Sequence, residues 1–369
     1  MPASFQPSAI LTFQLTRVPA RTSTTQPLWL TGRHVNWQDR ADGWQMTPTP
    51  GGWTLTRPVP LGTLLEFKVR RDDGVEEGDV HGGRALAHQH VVTGDATVPF
   101  EVTGWQNGQG GARPSTRPAR TVAFTLWSPE LHEDREVLVH LPPSYPAGGP
   151  YPVLYLHDGQ NMFDEATAFS GVTWRADRAA DTLARGGREV ILVAVPCGPR
   201  RSQLYTPFRS RVNAYAPLAD AYLAFLTGTL KAHVDRTYRT RPERPFTGVA
   251  GSSFGGLISL YAAFTHADTY GAAGVFSPSL WVGDHEVWPW LATRARGADR
   301  VYVDMGTHEG DDVDASRMLV RHALALADTL SDKGSRVRAQ VGEGHWHDEV
   351  AWAERFPAFL RFFLETCRA

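Results

Sequence analysis

The sequence predicts an α/β protein in which a small all-β sandwich, residues 1–107, precedes a doubly wound and mostly parallel sheet, residues 121–369. Three observations support this division. The first part consists of short β-forming runs separated by Pro, Gly and Asp, with no helical periodicity of comparable length. In the second part, apolar strand-like runs alternate with helical ones. Residues 108–120 between them are rich in Gly, Pro and Arg, which is typical of an exposed linker.

The predicted strands differ in pattern between the two parts. In the first part they are short and frequent, as in a β-sandwich: 10–15, 28–31, 53–56 and 65–69. In the second part several are apolar at consecutive positions, as expected for strands covered by helices on both faces: 136–141, 153–156, 190–195, 246–250, 274–276, 301–303 and 337–341. Clear helical runs follow at 257–264 and 354–363.

Composition excludes several classes of function. The chain has 369 residues, 37 basic and 39 acidic, and no long basic block, so we expect no nucleic-acid partner. Its two cysteines, Cys197 and Cys367, have no metal-ligand spacing and are expected to be buried thiols rather than a disulfide framework. No run approaches the about 20 apolar residues that span a membrane, and the N-terminus lacks an export pattern. We therefore expect a cytoplasmic protein without membrane contact, whose oligomeric state the sequence leaves unknown.

The most informative motif is Gly251-Ser252-Ser253-Phe254-Gly255, a G-x-S-x-G pattern between the strand-like run 246–250 and the helical run 257–264. In a strand-turn-helix of this kind the central residue has a strained backbone, and its side chain is exposed at the end of the sheet. Ser253 is therefore the candidate nucleophile. The alternatives are a glycine-rich helix cap and a phosphate-binding loop, although the lysine of a phosphate-binding loop is missing here.

A serine nucleophile needs a base, and in this arrangement the base follows it in the chain. His347 and His345 both lie between the last predicted strand and the last predicted helix, where such a base is expected. Periodicity alone does not separate them. The neighbouring acidic residues suggest a metal site as an alternative, but no second ligand group has the required helical spacing, so we expect no metal and no cofactor.

An acid that orients the base should follow an earlier strand. Glu309 lies just past the strand run 301–303 and is the first choice. Asp304 alternates with apolar strand residues and is the competing choice, either as the acid or as a buried structural carboxylate. Asp311 and Asp312 are expected to cap the next helix.

Two backbone N–H groups are expected to bind the oxyanion. One is that of Phe254, directly after the nucleophile, and the other is that of Gln160, in the loop after the strand 153–156. Gly159 would let that loop approach the site. An ordinary Asp-Gly turn is the alternative interpretation of the loop.

With these residues the chain resembles the esterase D and enterochelin-esterase-like family of α/β-hydrolases, which includes feruloyl esterases and mycolyltransferases. The resemblance extends from Thr121 to Leu364 and consists of several motifs in order. They are Tyr151 to Gln160, Arg201 with Tyr205-Thr206-Pro207, Gly251 to Gly256, Phe276-Ser277-Pro278-Ser279, Gly306-Thr307-His308-Glu309, and Gly344-x-x-His347-x-Glu349-x-x-Trp352.

The resemblance implies a serine carboxylesterase with a Ser253, His347 and Glu309 triad. It favours His347 over His345 because Trp352 lies at the family's spacing from His347. It also implies that Asp158, Arg201, Tyr205 and Trp352 bind a small-molecule ester, with Arg201 favouring a polar or anionic acyl group. Within the family, the candidate substrates are siderophore esters, feruloyl or acetyl carbohydrate esters, short-chain esters and thioesters, and acyl transfer is an alternative reaction. A non-catalytic glycan-binding protein is the alternative from another class of function, and the complete Ser, His and acid set argues against it.

The first part resembles the carbohydrate-binding modules related to starch- and glycogen-binding domains. The matching residues are Leu30-Thr31-Gly32 with Asn36-Trp37, Gly52-Trp53, and the run from Leu65 to Arg70. The resemblance implies a possible glycan partner. The chain departs from the pattern at Glu76-Glu77-Gly78-Asp79, where such modules often carry a tryptophan platform. The alternative role for this part is to shape the entrance of the active site.

Overall fold

A computed structural model describes residues 7–106, 111–209 and 216–367, and the chain divides into two compact units. The first comprises Met1–Ser115, Phe169–Gly171 and Thr307–Met318; the second comprises Thr116–Ala168, Val172–Gly306 and Leu319–Ala369. The division at Ser115 falls inside the predicted linker 108–120. The sequence did not predict that two short later segments belong to the first unit.

The first unit is β-rich, as predicted. Its strands are β1 (Ser8–Arg17), β2 (Leu28–Gly32), β3 (Gln45–Thr49), β4 (Gly52–Pro60), β5 (Leu64–Arg71), β6 (Glu77–Gly78), β7 (His88–Val91), β8 (Ala96–Glu101) and β9 (Gly104–Trp105). Seven of them form one sheet in the order β7-β5-β2-β3-β4-β1-β8, and β6 pairs with β9. The start of β3 pairs with β2 and its end pairs with β4, so this strand joins the two halves of the sheet.

Side chains from both halves of this sheet share one core. Phe13 of β1 lies edge-on to Phe67 of β5, with ring centroids 5.3 Å apart, and Phe67 lies edge-on to Phe100 of β8 at 5.2 Å. The alternating burial along β1 is the pattern of a strand with one face on a core. The sheet therefore folds over on itself around an aromatic centre.

The segment Thr307–Met318 is held in the first unit by main-chain contacts. The Leu64 N–H donates to the carbonyl of Asp311 at 3.0 Å, and the Val313 N–H donates to the carbonyl of Gly62 at 3.0 Å. Arg33 Nη1 donates to the carbonyls of Glu309 at 3.1 Å and Gly310 at 2.8 Å. The sequence candidate for the acid thus lies on a segment bound to β-strand residues far away in the chain.

The second unit contains the predicted mostly parallel sheet, with strands β10 (Thr121–Ser128), β11 (Glu133–His140), β12 (Val153–His157), β13 (Ile191–Val195), β14 (Thr247–Ser252), β15 (Ala272–Phe276), β16 (Arg300–Gly306) and β17 (Arg336–Gly342). The order is β10-β11-β13-β12-β14-β15-β16-β17. β11 is antiparallel to both of its neighbours, whereas β13, β12 and β14 to β17 are parallel. Because β12 is flanked by β13 and β14, the carboxyl ends of these strands bring their following loops together.

The helices are α1 (Ala176–Ala184), α2 (Arg201–Tyr205), α3 (Ala219–Ala224), α4 (Lys231–Thr237), α5 (Phe254–Thr265), α6 (Val282–His285), α7 (Val287–Ala292), α8 (Val313–Asp332) and α9 (Glu349–Phe363). Side chains of α3, α5 and α8 share a core with one face of the sheet, and those of α1 and α9 share a core with the other. The doubly wound prediction is confirmed. Among the helices of the described residues, none is long and apolar enough to cross a membrane.

Candidate active site

Ser253 lies at the sharp junction between β14 and α5. Its backbone angles are φ 59° and ψ −120°, which is a strained conformation for a residue with a side chain. The strain is held by hydrogen bonds: the Ser253 N–H donates to the Phe276 carbonyl at 3.0 Å, and the Ser253 carbonyl accepts from the Leu257 N–H at 3.0 Å. The structure thus gives Ser253 the backbone that the G-x-S-x-G pattern predicts.

The glycines around Ser253 differ in how strictly they are required. A Cβ on Gly251 would lie 3.0 Å from the backbone of Gly255, and one on Gly256 would lie 2.5 Å from the Phe276 carbonyl oxygen. A Cβ on Gly255 would meet its nearest neighbours only at 3.4 Å, an ordinary contact. The tightest position is therefore Gly256, one residue beyond the motif, where α5 packs against β15.

Ser279 contacts the candidate nucleophile directly. Its Oγ lies 3.2 Å from Ser253 Oγ, and its N–H donates to the Ser253 carbonyl at 3.2 Å. The residue follows β15, at the end of the Phe276-Ser277-Pro278-Ser279 stretch. Reasoning from residue pattern did not assign it a role, since nothing local distinguishes it from other serines.

The two candidate bases have different surroundings. His345 Nε2 lies 3.2 Å from Glu354 Oε2, an exposed carboxylate on α9. His347 is half-buried and lies against Trp352, with ring centroids 5.0 Å apart and planes at 84°. Asp348 caps α9 by accepting the Ala351 N–H at 2.9 Å, which fixes the helix start beside His347.

The structure buries Trp352 rather than presenting it to a ligand. Only 6% of its surface is exposed, and its Nε1–H donates to Ser277 Oγ at 2.9 Å. Its ring contacts His347, and the substrate-binding role assigned to Trp352 stays a prediction.

Asp304, the competing choice for the acid, is a buried carboxylate with several partners. It accepts the Ser277 N–H at 2.9 Å and the Tyr302 hydroxyl at 3.0 Å, and it pairs with Arg355 Nε at 3.1 Å. Both Asp304 and Arg355 are almost wholly buried. Asp312 caps α8 by accepting the Ala315 N–H at 2.7 Å, as predicted.

The loop after β12 carries the second predicted oxyanion donor. Asp158 has a left-handed backbone, φ 53°, and a short 3-10 turn follows at Gly159–Asn161. A Cβ on Gly159 would lie 2.6 Å from the backbone nitrogen of Val195, so glycine is needed for packing on the end of β13. That differs from the predicted reason, which was approach to the site. Gln160 is fixed through its side chain, whose Oε1 accepts the Cys197 N–H at 3.1 Å.

Asp158, Arg201 and Tyr205 form one cluster beneath this loop. Arg201 binds the Asp158 carboxylate with two hydrogen bonds, Nε to Oδ1 at 2.8 Å and Nη2 to Oδ2 at 2.7 Å. The Tyr205 hydroxyl accepts the Asp158 N–H at 3.0 Å, and Tyr205 is fully buried. These contacts hold the loop, and the substrate contacts of Asp158 and Tyr205 stay a prediction. The Arg201 guanidinium remains partly exposed.

The charge on Asp158 is maintained by its partner. Burial raises the pKa of this carboxyl group, but the positive charge and hydrogen bonds of Arg201 outweigh burial, so the net pKa is lowered. Burial also raises the pKa of the nearby Cys197 thiol to about 12, so Cys197 stays protonated and is a poor nucleophile. The side chain of Cys367 lies outside the described part of the structure.

We expect His157 to make the protein less stable in mild acid. Burial lowers the pKa of its imidazole from an ordinary 6.5 to about 3, so between these values the unfolded chain binds a proton that the folded chain does not. The unfolding free energy should therefore fall below pH 6.5, by about 2 kcal/mol from this residue between pH 8 and pH 5. Urea unfolding of the parent and of His157→Asn measures this: the drop in unfolding free energy from pH 8 to pH 5 should be smaller in the variant by about 2 kcal/mol. An equal difference in parent and variant would contradict this assignment.

The Phe254 ring has two neighbours that are relevant to the chemistry of the site. Trp281, two residues past Ser279, is 52% exposed, and its ring centroid is 5.9 Å from that of Phe254. The Arg201 guanidinium carbon lies 5.5 Å from the Phe254 ring centroid. Across the part of the chain that the structure describes, no three His, Cys, Asp or Glu side chains group as metal ligands do.

Comparison with known proteins assigns the family. The model of the Esterase family matches residues 128–363, well over half of the chain. The chain belongs to the Esterase family. This esterase therefore hydrolyses carboxylic esters, and the family match covers most of its second unit together with Phe169–Gly171 and Thr307–Met318 of the first.

The chain is also similar to individual proteins. The uncharacterized protein YbbA of Bacillus subtilis is 23% identical over 233 residues, 60% of this chain and 90% of YbbA. The siderophore triacetylfusarinine C esterase of Aspergillus fumigatus is 30% identical over 144 residues, 36% of this chain and 46% of that protein. The enterobactin esterase of Shigella flexneri, solved in the presence of enterobactin, has a similar fold with a TM-score of 0.60 and 16% identity, covering 97% of this chain and 93% of that one.

Proposed function

We propose that the esterase opens its substrate through an acyl-enzyme on Ser253. The observation that carries this proposal is the strained backbone of Ser253 at the junction of β14 and α5. His347 accepts the Ser253 proton as Oγ attacks the ester carbonyl, and it then donates a proton to the departing alcohol. A water molecule, deprotonated by His347, hydrolyses the acyl-enzyme and regenerates Ser253.

The oxyanion of each tetrahedral intermediate binds the N–H groups of Phe254 and Gln160 in this proposal. Phe254 is the first residue of α5, and N–H groups in the first turn of a helix have no partner within the helix. The positive end of the helix dipole adds to the attraction for an anion. The loop of Gln160 is held by the Asp158 and Arg201 pair and by the Cys197 N–H, which supports a preformed site.

We propose Glu309 as the acid that orients His347, from its position just past β16 in the chain. The competing Asp304 already binds Arg355, Tyr302 and the Ser277 N–H, which supports the choice of Glu309. In the same way, the pairing of His345 with Glu354 supports His347 as the base.

For the substrate we propose an ester of the siderophore type with an aromatic acyl group. Trp281 and Phe254 offer an aromatic surface directly beside the nucleophile, and Arg201 adds a positive charge at its edge. A flat acyl group can stack there, and an anionic substituent on it can meet the guanidinium. The siderophore esterases among the relatives support this choice. A feruloyl ester has the same aromatic character and is the second candidate.

Competitive labelling tests the nucleophile and the substrate class together. A fluorophosphonate should modify Ser253, identified by peptide mass spectrometry, and Ser253→Ala should not be labelled.

Competition by esters tests the substrate class. A ferric catecholate triester should slow the labelling of Ser253 more strongly than a feruloyl sugar, and ethyl butyrate should slow it least. Trp281→Ala should weaken the aromatic competitors, whereas Trp127→Ala, which removes a tryptophan with 54% exposure on β10, should not. Labelling at another residue would overturn the mechanism, and equal competition by all three esters would overturn the substrate class.

Glycan binding by the first unit is a weaker proposal. Trp37, 40% exposed, is the one tryptophan above a third exposure among the described residues of that unit. Where related modules carry a tryptophan platform, Glu76 instead pairs with Lys68 Nζ at 3.1 Å and Arg70 Nη2 at 2.8 Å. An ion-paired surface of this kind stacks poorly on a sugar ring.

A further inference from the structure

The candidate base lies against a tryptophan that is itself anchored. Trp352 presents its ring to His347 at close to a right angle, with centroids 5.0 Å apart. Its Nε1–H donates to Ser277 Oγ at 2.9 Å, so the indole is fixed by a directional bond as well as by packing. The orientation of the indole ring beside His347 therefore depends on the position of the Ser277 hydroxyl.

Ser277 is in turn fixed by the buried ion pair. Its N–H donates to Asp304 Oδ1 at 2.9 Å, and its Oγ accepts from Arg355 Nη2 at 2.9 Å. Arg355 Nε lies 3.1 Å from Asp304 Oδ2, and neither residue is more than about 1% exposed. Ser277 also has a positive φ of 40°, a conformation that a non-glycine residue keeps only when its surroundings enforce it.

The same short segment contacts the candidate nucleophile. Ser279, two residues past Ser277, has its Oγ 3.2 Å from Ser253 Oγ and donates its N–H to the Ser253 carbonyl. The segment after β15 thus contacts the nucleophile through Ser279 and, through Ser277 and Trp352, the base. A shift of this segment would change the position of both groups.

We infer that Trp352 and Ser277 are positioning residues, which hold the His347 imidazole in the orientation needed to exchange a proton with Ser253. The inference rests on the proposed roles of His347 and Ser253. Proton transfer requires the two atoms at hydrogen-bond distance and in line, and a displacement of about 1 Å can lower a rate about a hundredfold. Because Trp352 is buried, its loss should affect the chemical step rather than substrate affinity.

Two conservative variants test this inference. Trp352→Phe keeps an aromatic ring but removes the Nε1–H, and Ser277→Ala removes the acceptor. Each should lower kcat by about tenfold to a hundredfold on a p-nitrophenyl ester, with KM changed less than about twofold. Since both remove the hydrogen bond between Trp352 and Ser277, the double variant should lose no more kcat than the more impaired of the two single variants.

Trp174→Phe is the matched control, because Trp174 packs on Trp352 with ring centroids 5.9 Å apart and is also buried. Its thermal midpoint should fall while kcat stays within about twofold of the parent. Three outcomes would overturn the inference: a raised KM with unchanged kcat, equal kcat losses in Trp174→Phe and Trp352→Phe, or additive losses in the double variant. Parent-like hydrolysis by Ser253→Ala, measured in parallel, would instead reject the proposed function itself.

Discussion

Ser253→Ala should lose ester hydrolysis by at least about 10⁴-fold in kcat. In the proposed mechanism, alanine removes the atom that forms the acyl-enzyme, and the oxyanion donors that remain give only weak catalysis of direct water attack. Stability should change little, because the side chain is only partly buried and its hydroxyl has one hydrogen-bond contact among the described residues, Ser279 Oγ. The measurement is kcat on p-nitrophenyl acetate with the purified variant, alongside its thermal unfolding curve.

The adjacent serine offers a control for this variant. Ser252 is the last residue of β14 and is buried, so Ser252→Ala changes the same strand without removing the proposed nucleophile. Its kcat should stay within about tenfold of the parent. If Ser252→Ala lost activity and Ser253→Ala kept it, the nucleophile would be wrongly assigned.

His347→Ala should lower kcat by about 10³-fold or more, because without a base the serine hydroxyl is a poor nucleophile at neutral pH. Labelling of Ser253 by a fluorophosphonate should slow in parallel, since that reaction uses the same activated hydroxyl. The measurement is kcat and the labelling rate at one pH.

His345→Ala is the comparison for the base, since this histidine lies in the same loop but pairs with Glu354. It should retain most of the parent kcat, and the reverse result would transfer the role to His345.

Glu309→Gln should lower kcat less than His347→Ala does, because the acid only orients the base. A parent-like rate in Glu309→Gln together with loss of activity in a folded Asp304→Asn variant would move the acid to Asp304.

The sequence predicted the parts of the fold that depend on neighbouring residues. Strands such as β12 and β13 are apolar at consecutive positions because helices cover both faces, and this is visible without any knowledge of contacts. The strained turn at Ser253 was predictable for the same reason, because glycine spacing reports a local backbone requirement. His347 was separated from His345 only by resemblance to a family, since both lie in one loop.

What the sequence could not predict depends on residues far apart in the chain. Nothing near Asp304 indicates that Arg355 will neutralise it, and an aspartate at a strand end fits a catalytic acid equally well. The burial of Trp352 was not predictable either, because spacing shows that a residue matters but not whether it is buried. In the first unit, the double pairing of β3 follows from the way the sheet folds over, which no strand pattern encodes.

The first unit consists of three separate stretches of the chain, which limits where the protein can be cut to express its parts separately. A shortened chain starting near Thr116 would keep residues 307–318 but lose Arg33 and the β5 backbone that bind them. The carbonyls of Glu309, Gly310 and Asp311 would each lose a donor, and such losses cost about 1–3 kcal/mol per group when the group is buried. The linker is thus an unsuitable place to cut, and exchange of the first unit between homologues would have to carry the later segment with it.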